Sequence, residues 1–184
     1  MIIASLLAKK CDAIISSLTD NAERRKQVDF ADYVTVGESL MVKKGNPEHI
    51  TGLSSLSGKS VAVEASTTEK ADLDALNKTL DKAHKPKITI KIYPSDTTAA
   101  AALLTGKVSA YFADATPVFY YIKQTGGKFQ TAGPQIASAP EGIATRKGDP
   151  LGAKFKTAIA KLYANGTMQK ILAKWGVSQF ALKK

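Results

Sequence analysis

Between Cys11 and Asp32 the chain reads CDAIISSLTDNAERRKQVDFAD, and no other stretch constrains the fold as strongly. Ala13-Ile14-Ile15 is a short apolar run that suits an interior strand. It passes directly into Ser16, Ser17 and Thr19, so three hydroxyls fall at the strand's C-terminal edge. Open α/β sheets receive their ligands at that edge. Asp20 or Asn21 can cap a following turn of helix that carries Arg24. A guanidinium presents a planar fork of donors matched to a carboxylate, and together with the hydroxyls it makes a candidate anion clamp. The plainer alternative is that Ser and Thr at strand ends bond their own backbone and that Arg24 is solvated.

The remainder alternates strands with helices. Residues 33–42 (YVTVGESLMV) alternate and are rich in β-branched types, which predicts a strand with Gly37 as a bend. Lys59 to Val63 opens a second αβ region. Ser66, Thr67 and Thr68 then precede an acidic-tipped helix over 69–80, where they serve either as a plain N-cap or, with the free helix amides, as an anion site. Strict alternation predicts a strand over 87–93. Asp96-Thr97-Thr98 is expected to cap an alanine-rich helix over 99–104 that Thr105-Gly106 stops. Residues 107–114 form a strand that closes in a carboxylate, and Asp114 either caps the next helix or accepts a cation. A helix over 118–123 is broken by Gly126-Gly127, and a return strand follows over 135–146. Two amphipathic helices end the pattern, one through Phe155, Ile159 and Leu162, the other carrying Met168, Ile171, Leu172 and Trp175 as core.

Composition removes several function classes. Lysine and arginine outnumber aspartate and glutamate by 26 to 16 in 184 residues, giving a net charge of +10. The basic residues are scattered as pairs, with no aromatic-interleaved stripe and no helix-turn-helix, KH or RRM signature, so a solvated basic surface is expected and no nucleic-acid partner. Cys11 is the single cysteine, expected to be a buried small hydrophobe, and His49 and His84 lie far apart. No metal site, cofactor site or serine–histidine triad has material here. Residues 1–8 are apolar without a preceding positive region, and read as the tail of an amphipathic helix rather than a signal peptide.

In register, the motif D-A-I-I-S-S-L-[ST]-x-x-x-x-R-x-x-x-[VI]-x-F-[ST]-[DE] is met by Asp12, Ser16, Ser17, Thr19, Arg24, Val28, Phe30 and Asp32. On this motif the chain resembles the periplasmic amino-acid-binding proteins of ABC transporters, the solute-binding family 3. Further matches are Lys59 to Thr68, with Ala65 where a glycine is usual, and Lys107 to Asp114, with Ser109 replacing an aspartate. Gly142 to Asp149 and Leu162 to Trp175 also match, with Glu141 where an aromatic is common. The resemblance implies a type II periplasmic-binding fold of two α/β lobes. Lobe 1 would comprise 1–36 and 139–184, lobe 2 would comprise 37–138, and two hinge crossings at 33–40 and 135–142 would allow closure over an α-amino acid. It further implies Arg24, Thr19, Ser17 and Ser16 for the ligand carboxylate, Ser66, Thr67 and Thr68 as added contacts, and Asp114 for the ammonium. No catalytic residue is implied, and the expected partners are a free amino acid and an inner-membrane ABC permease, in the periplasm.

The family's usual upstream portion of lobe 1 is absent from this sequence, which leads to the expectation of exposed strand edges and of a homodimer, by exchange of lobe 1 elements. Two rival readings stay open. One is a truncated paralogue that keeps the fold but has lost binding. The other is an enzyme resembling cyclohexadienyl dehydratase, with Glu64, Glu141 or Asp114 as general acid.

Overall fold

The computed structural model describes residues 2–182. The chain divides into two compact units, Met1–Val36 with Ser138–Lys184, and Gly37–Ala137. Two long strands, β2 (Val28–Lys43) and β6 (Phe129–Arg146), run through both.

In the first unit, α1 (Ile2–Leu7) leads to β1 (Ile14–Thr19). β1 pairs antiparallel with the end of β6, which in turn neighbours β2. One face carries Leu6, Ile14, Leu18, Val28, Phe30 and Ala144. Another cluster joins Ala31 and Ile143 to Ile159 of α6 (Pro150–Ala164). Asp149 caps α6 by accepting from the Leu151 amide, and Pro150 fills the first helical position, where its missing N–H costs nothing. The expectation of an interior strand is corrected: among the described residues β1 pairs with β6 alone, and Ile15 is 64% exposed. Cys11 is half-buried rather than buried, packed against the α1 face. Trp175, expected in the core, is 52% exposed. The buried face of α7 (Thr167–Trp175) is set by Met168 and Leu172, one turn apart, and Trp175 falls at the helix end just before left-handed Gly176.

In the second unit the strand order is β6, β2, β5 (Ala110–Asp114), β3 (Ser60–Glu64) and β4 (Thr89–Tyr93). β3, β4 and β5 are parallel, while β2 runs antiparallel to β5. The two-residue period sorts the side chains cleanly. Leu40, Val42, Val61, Val63 and Phe112 pack under α3 (Thr68–Lys82), whose Leu73 and Leu80 complete the cluster. Met41, Ala62, Tyr111 and Ala113 point the other way, to α4 (Asp96–Leu104) and α5 (Ala115–Gln124). Both faces of β3 and β5 are apolar, as parallel strands covered on each side must be.

Two local expectations change. Ser95, not Asp96, caps α4, so the helix starts three residues before the alanine run. Gly37 is not a bend but a point of close approach, where an added Cβ would lie 2.9 Å from the Ile136 carbonyl oxygen.

Candidate functional site

The first unit places its hydroxyls through an irregularity that the sequence does not announce. Ile14 pairs with Ala144, yet Leu18 pairs with Gly142, so the register slips between them. Ser17 takes up the slip with φ +42, in the left-handed region that costs a non-glycine residue. Such bulges re-aim side chains, and they concentrate beside functional sites. Ser16 is exposed, Ser17 and Thr19 half-buried, all at the end of β1.

Arg24 rides on α2 (Ala22–Arg25), one turn capped by Asn21, whose side chain accepts from the Arg24 amide at 2.9 Å. Of the two caps the sequence allowed, the structure uses Asn21. Asp20 is instead buried and bonded to Arg25. The Arg24 guanidinium turns back over the strand end, Nη1 donating to the Thr19 carbonyl at 2.8 Å. Hydroxyls and guanidinium are thus gathered at one edge of the first unit. A cavity of about 550 Å³ elsewhere in that unit, lined by Arg25, Asp29, Lys156 and Tyr163 among others, includes none of Ser16, Ser17, Thr19 and Arg24.

The second unit assembles carboxylates. Glu64 ends β3 in register with Tyr93 at the end of β4, and Glu38 of β2 stands opposite Asp114 at the end of β5. Asp114 occupies the N-cap position of α5, and its side chain makes no cap hydrogen bond. Thr67 is the N-cap of α3: its hydroxyl donates to the Glu64 carbonyl at 3.0 Å and accepts from the Lys70 amide. Thr68 donates to Glu69 at 3.2 Å, and Ser66 is exposed at φ +68. For Thr67 the plain capping role is therefore realised.

Electrostatics at this edge are unusual. Burial, with Glu69 and Asp72 nearby, pushes the Glu38 carboxyl up to about 8. Burial and Asp96 push Glu64 up to about 7. Glu69 is raised by burial, against the opposing pull of its own backbone amide and the Thr68 and Thr67 hydroxyls. Tyr111, buried, donates to Asp96, and its phenol is pushed upward by burial and that carboxylate. Sequence reading singled out Glu64 but missed Glu38, Glu69 and Asp96 as members of one group. Glu69 and Asp96 could have been found from their place in the first turn of the helix after a strand, whereas Glu38, in the middle of β2, carries no such signal.

A two-unit α/β chain with cleft-type residues at its strand ends has the form of the type II periplasmic-binding fold, a class of solute receptors. The chain belongs to family 3 of the bacterial extracellular solute-binding proteins, whose model matches residues 1–178. It is 29% identical over 175 residues to the L-cystine-binding protein TcyJ of Escherichia coli K12, covering 94% of this chain and 63% of that protein. To the lysine/arginine/ornithine-binding periplasmic protein of the same organism it is 32% identical, covering 95% and 68%. The chain thus spans under two thirds of the length of TcyJ. Among solved structures, an ancestral arginine-binding protein bound to glutamine superposes with TM-score 0.83 at 31% identity, over 96% of this chain and 76% of that one. An ancestral amino acid-binding protein described as a precursor of cyclohexadienyl dehydratase gives 0.76 at 29%, over 95% and 73%. The curated relatives named here are binding proteins.

Proposed function

We propose that this chain binds a free α-amino acid as the solute receptor of an ABC uptake system. The observation that carries the reading lies in the first unit, where the Arg24 guanidinium is held by the Thr19 carbonyl beside Ser17, whose φ of +42 marks the slip in β1. Arg24, with Ser16, Ser17 and Thr19, would receive the ligand's carboxylate, and Asp114 its ammonium. Thr67, with nearby backbone amides and with Ser66 and Thr68, would add contacts to that carboxylate. Each ligand charge needs a counter-charge once water is expelled, which hydroxyls alone do not supply. The crossings near Gly37 and Ala137 would serve as the hinge. Periplasmic location and docking on an inner-membrane permease follow from the family relation and belong to this proposal.

The test is a thermal-shift screen against the twenty amino acids with Arg24→Ala and Asp114→Ala as controls. A hundredfold excess over Kd should add about 2.7 kcal/mol, several degrees for a domain of this size. A shift lost in both variants is expected. Stabilisation that survives both substitutions, or none with any amino acid, overturns the reading and leaves the fold without its binding role.

A second proposal concerns assembly. The outer edge of β1, with Ile15 largely exposed, favours pairing with a second copy of the chain.

A further inference from the structure

Three of the chain's 26 basic residues are arginines, Arg24, Arg25 and Arg146, and all three lie in the first unit. Each is used beside an end of β1. Arg146 holds the approach to the strand, its Nη1 donating to the Cys11 carbonyl at 2.9 Å and its Nη2 to Asp12 at 3.1 Å. Arg24 returns to the Thr19 carbonyl at the other end. Arg25, the next residue, closes on Asp20 with two donors, Nε to Oδ1 and Nη2 to Oδ2. A planar fork on a carboxylate is a bond that lysine cannot copy.

The turn needs such a bond. α2 is four residues long, too short to keep its shape by backbone bonds alone, so its seat on β1 is set by what ties it down. Asp20 is the anchor: its side chain has no exposed surface, and its amide donates to the Pro140 carbonyl of β6 at 2.8 Å. Arg25 fastens the turn to that anchor. Asp32 of β2 lies 3.8 Å from the same Nη2, and its carboxyl is raised by burial and by the nearby Asp20. The Arg25 side chain itself stands apart from the candidate ligand site. It lines the cavity of about 550 Å³ that includes none of Ser16, Ser17, Thr19 and Arg24. Successive side chains on a helical turn leave it about 100° apart, so anchoring Arg25 fixes the direction in which Arg24 departs.

We infer that Arg25 is a positioning residue: through Asp20 it holds α2 at the angle that puts the Arg24 guanidinium over the end of β1, and ligand affinity depends on it although it does not touch the ligand. The inference rests on the amino-acid-binding reading and deepens it. A purely structural role has a different consequence. If Arg25 served only to neutralise the buried Asp20, its loss would lower stability and leave the affinity of the folded chain unchanged. A positioning role moves the affinity itself, because a guanidinium that must be ordered anew at each encounter binds more weakly.

The test uses the full chain and two variants. Arg25→Lys keeps the charge and loses the fork, and the double variant Asp20→Asn with Arg25→Gln leaves no buried charge unpaired. Circular dichroism establishes that both fold. Isothermal titration with each of the twenty amino acids reads affinity, and NMR of the chain carrying isotope-labelled arginine reads the Arg24 guanidinium without ligand, three arginines being few enough to assign. Both variants should bind the tightest amino acid at least tenfold more weakly than the unmodified chain. The Arg24 Nε–H signal should shift in both, and its guanidinium should rotate faster. Affinity within twofold of the unmodified chain in either variant, or Arg24 signals that neither substitution moves, overturns the inference while the amino-acid reading stands. No binding of any amino acid by the unmodified chain overturns that reading and the inference with it.

Discussion

The Arg24 guanidinium donates to the Thr19 carbonyl at 2.8 Å, across the short turn that joins the end of β1 to α2. The bond fixes a long, rotamer-rich side chain in place, so that in the proposed amino-acid-binding role less ordering would be paid at binding.

Arg24→Lys is expected to bind the amino acid far more weakly than the unmodified chain, although the charge is kept. A lysine cannot both hold the Thr19 carbonyl and present two parallel donors to a carboxylate. The loss should be about 2–4 kcal/mol, near the range for truncating one partner of a buried charge pair, which titration calorimetry reads as a weakening of two decades or so. The melting temperature without ligand should change little, because the side chain is only half-buried and the turn's own cap, Asn21 to the Arg24 amide, is untouched by the substitution.

The local geometry of the candidate site was legible in the sequence, while the roles of Arg24 and Asp114 came from the family resemblance. A hydroxyl-terminated strand followed by a cappable turn brings Arg24 back over the strand end, and Asp114 closes β5 opposite Glu38 of β2. What was not legible is long-range or conformational. The slip that puts Ser17 at φ +42 depends on pairing with a strand more than a hundred residues away. Glu38 reads as one more residue of an alternating strand, and only the register under α3 shows that it is buried beside two further acids. Trp175 misled for the converse reason, since helical spacing alone cannot say where a nine-residue helix stops facing the core.

Stability should fall as pH rises across neutrality. Glu38 titrates near 8 when folded, against an ordinary 4.5, so between these values the native chain holds a proton that the unfolded chain has released. Stability is then full at the acidic end and is lost as pH rises through about 8. Glu64, raised to about 7, adds to the loss in the lower part of the window. Glu38→Gln removes the larger titration and should stabilise the chain at pH 8.5 by of the order of 2 kcal/mol, with little change at pH 5. Thermal melts of both proteins at the two pH values check it. Parallel decline in the variant would mean that the acidic cluster is not the cause.

Gly37→Ala should destabilise the chain by about 1–3 kcal/mol, the usual cost of forcing a methyl into packed surroundings. The new Cβ would lie 2.9 Å from the Ile136 carbonyl oxygen and 3.2 Å from the Gln135 Cβ. A backbone oxygen cannot swing aside as a long side chain can, so β2 and β6 must separate locally. Urea unfolding with an unchanged m-value and a lowered midpoint is the expected result. An unchanged midpoint would show that the two strands yield at no cost.

Assembly gives the last prediction. Among the described residues β1 hydrogen-bonds to β6 on one side only, and Ile15, in mid-strand, is 64% exposed. An open edge carrying an apolar side chain is a template for another strand. Ile2 and Leu7 of α1, both close to half exposed, add apolar surface to the same unit. Light scattering at micromolar concentration should therefore report a dimer. Ile15→Lys, a charge of the kind that natural edge strands carry, should shift the population toward monomer without lowering the intrinsic stability of the fold, since that side chain meets solvent already. A monomer for the unmodified chain would sink the proposal, and so would a dimer that Ile15→Lys leaves untouched.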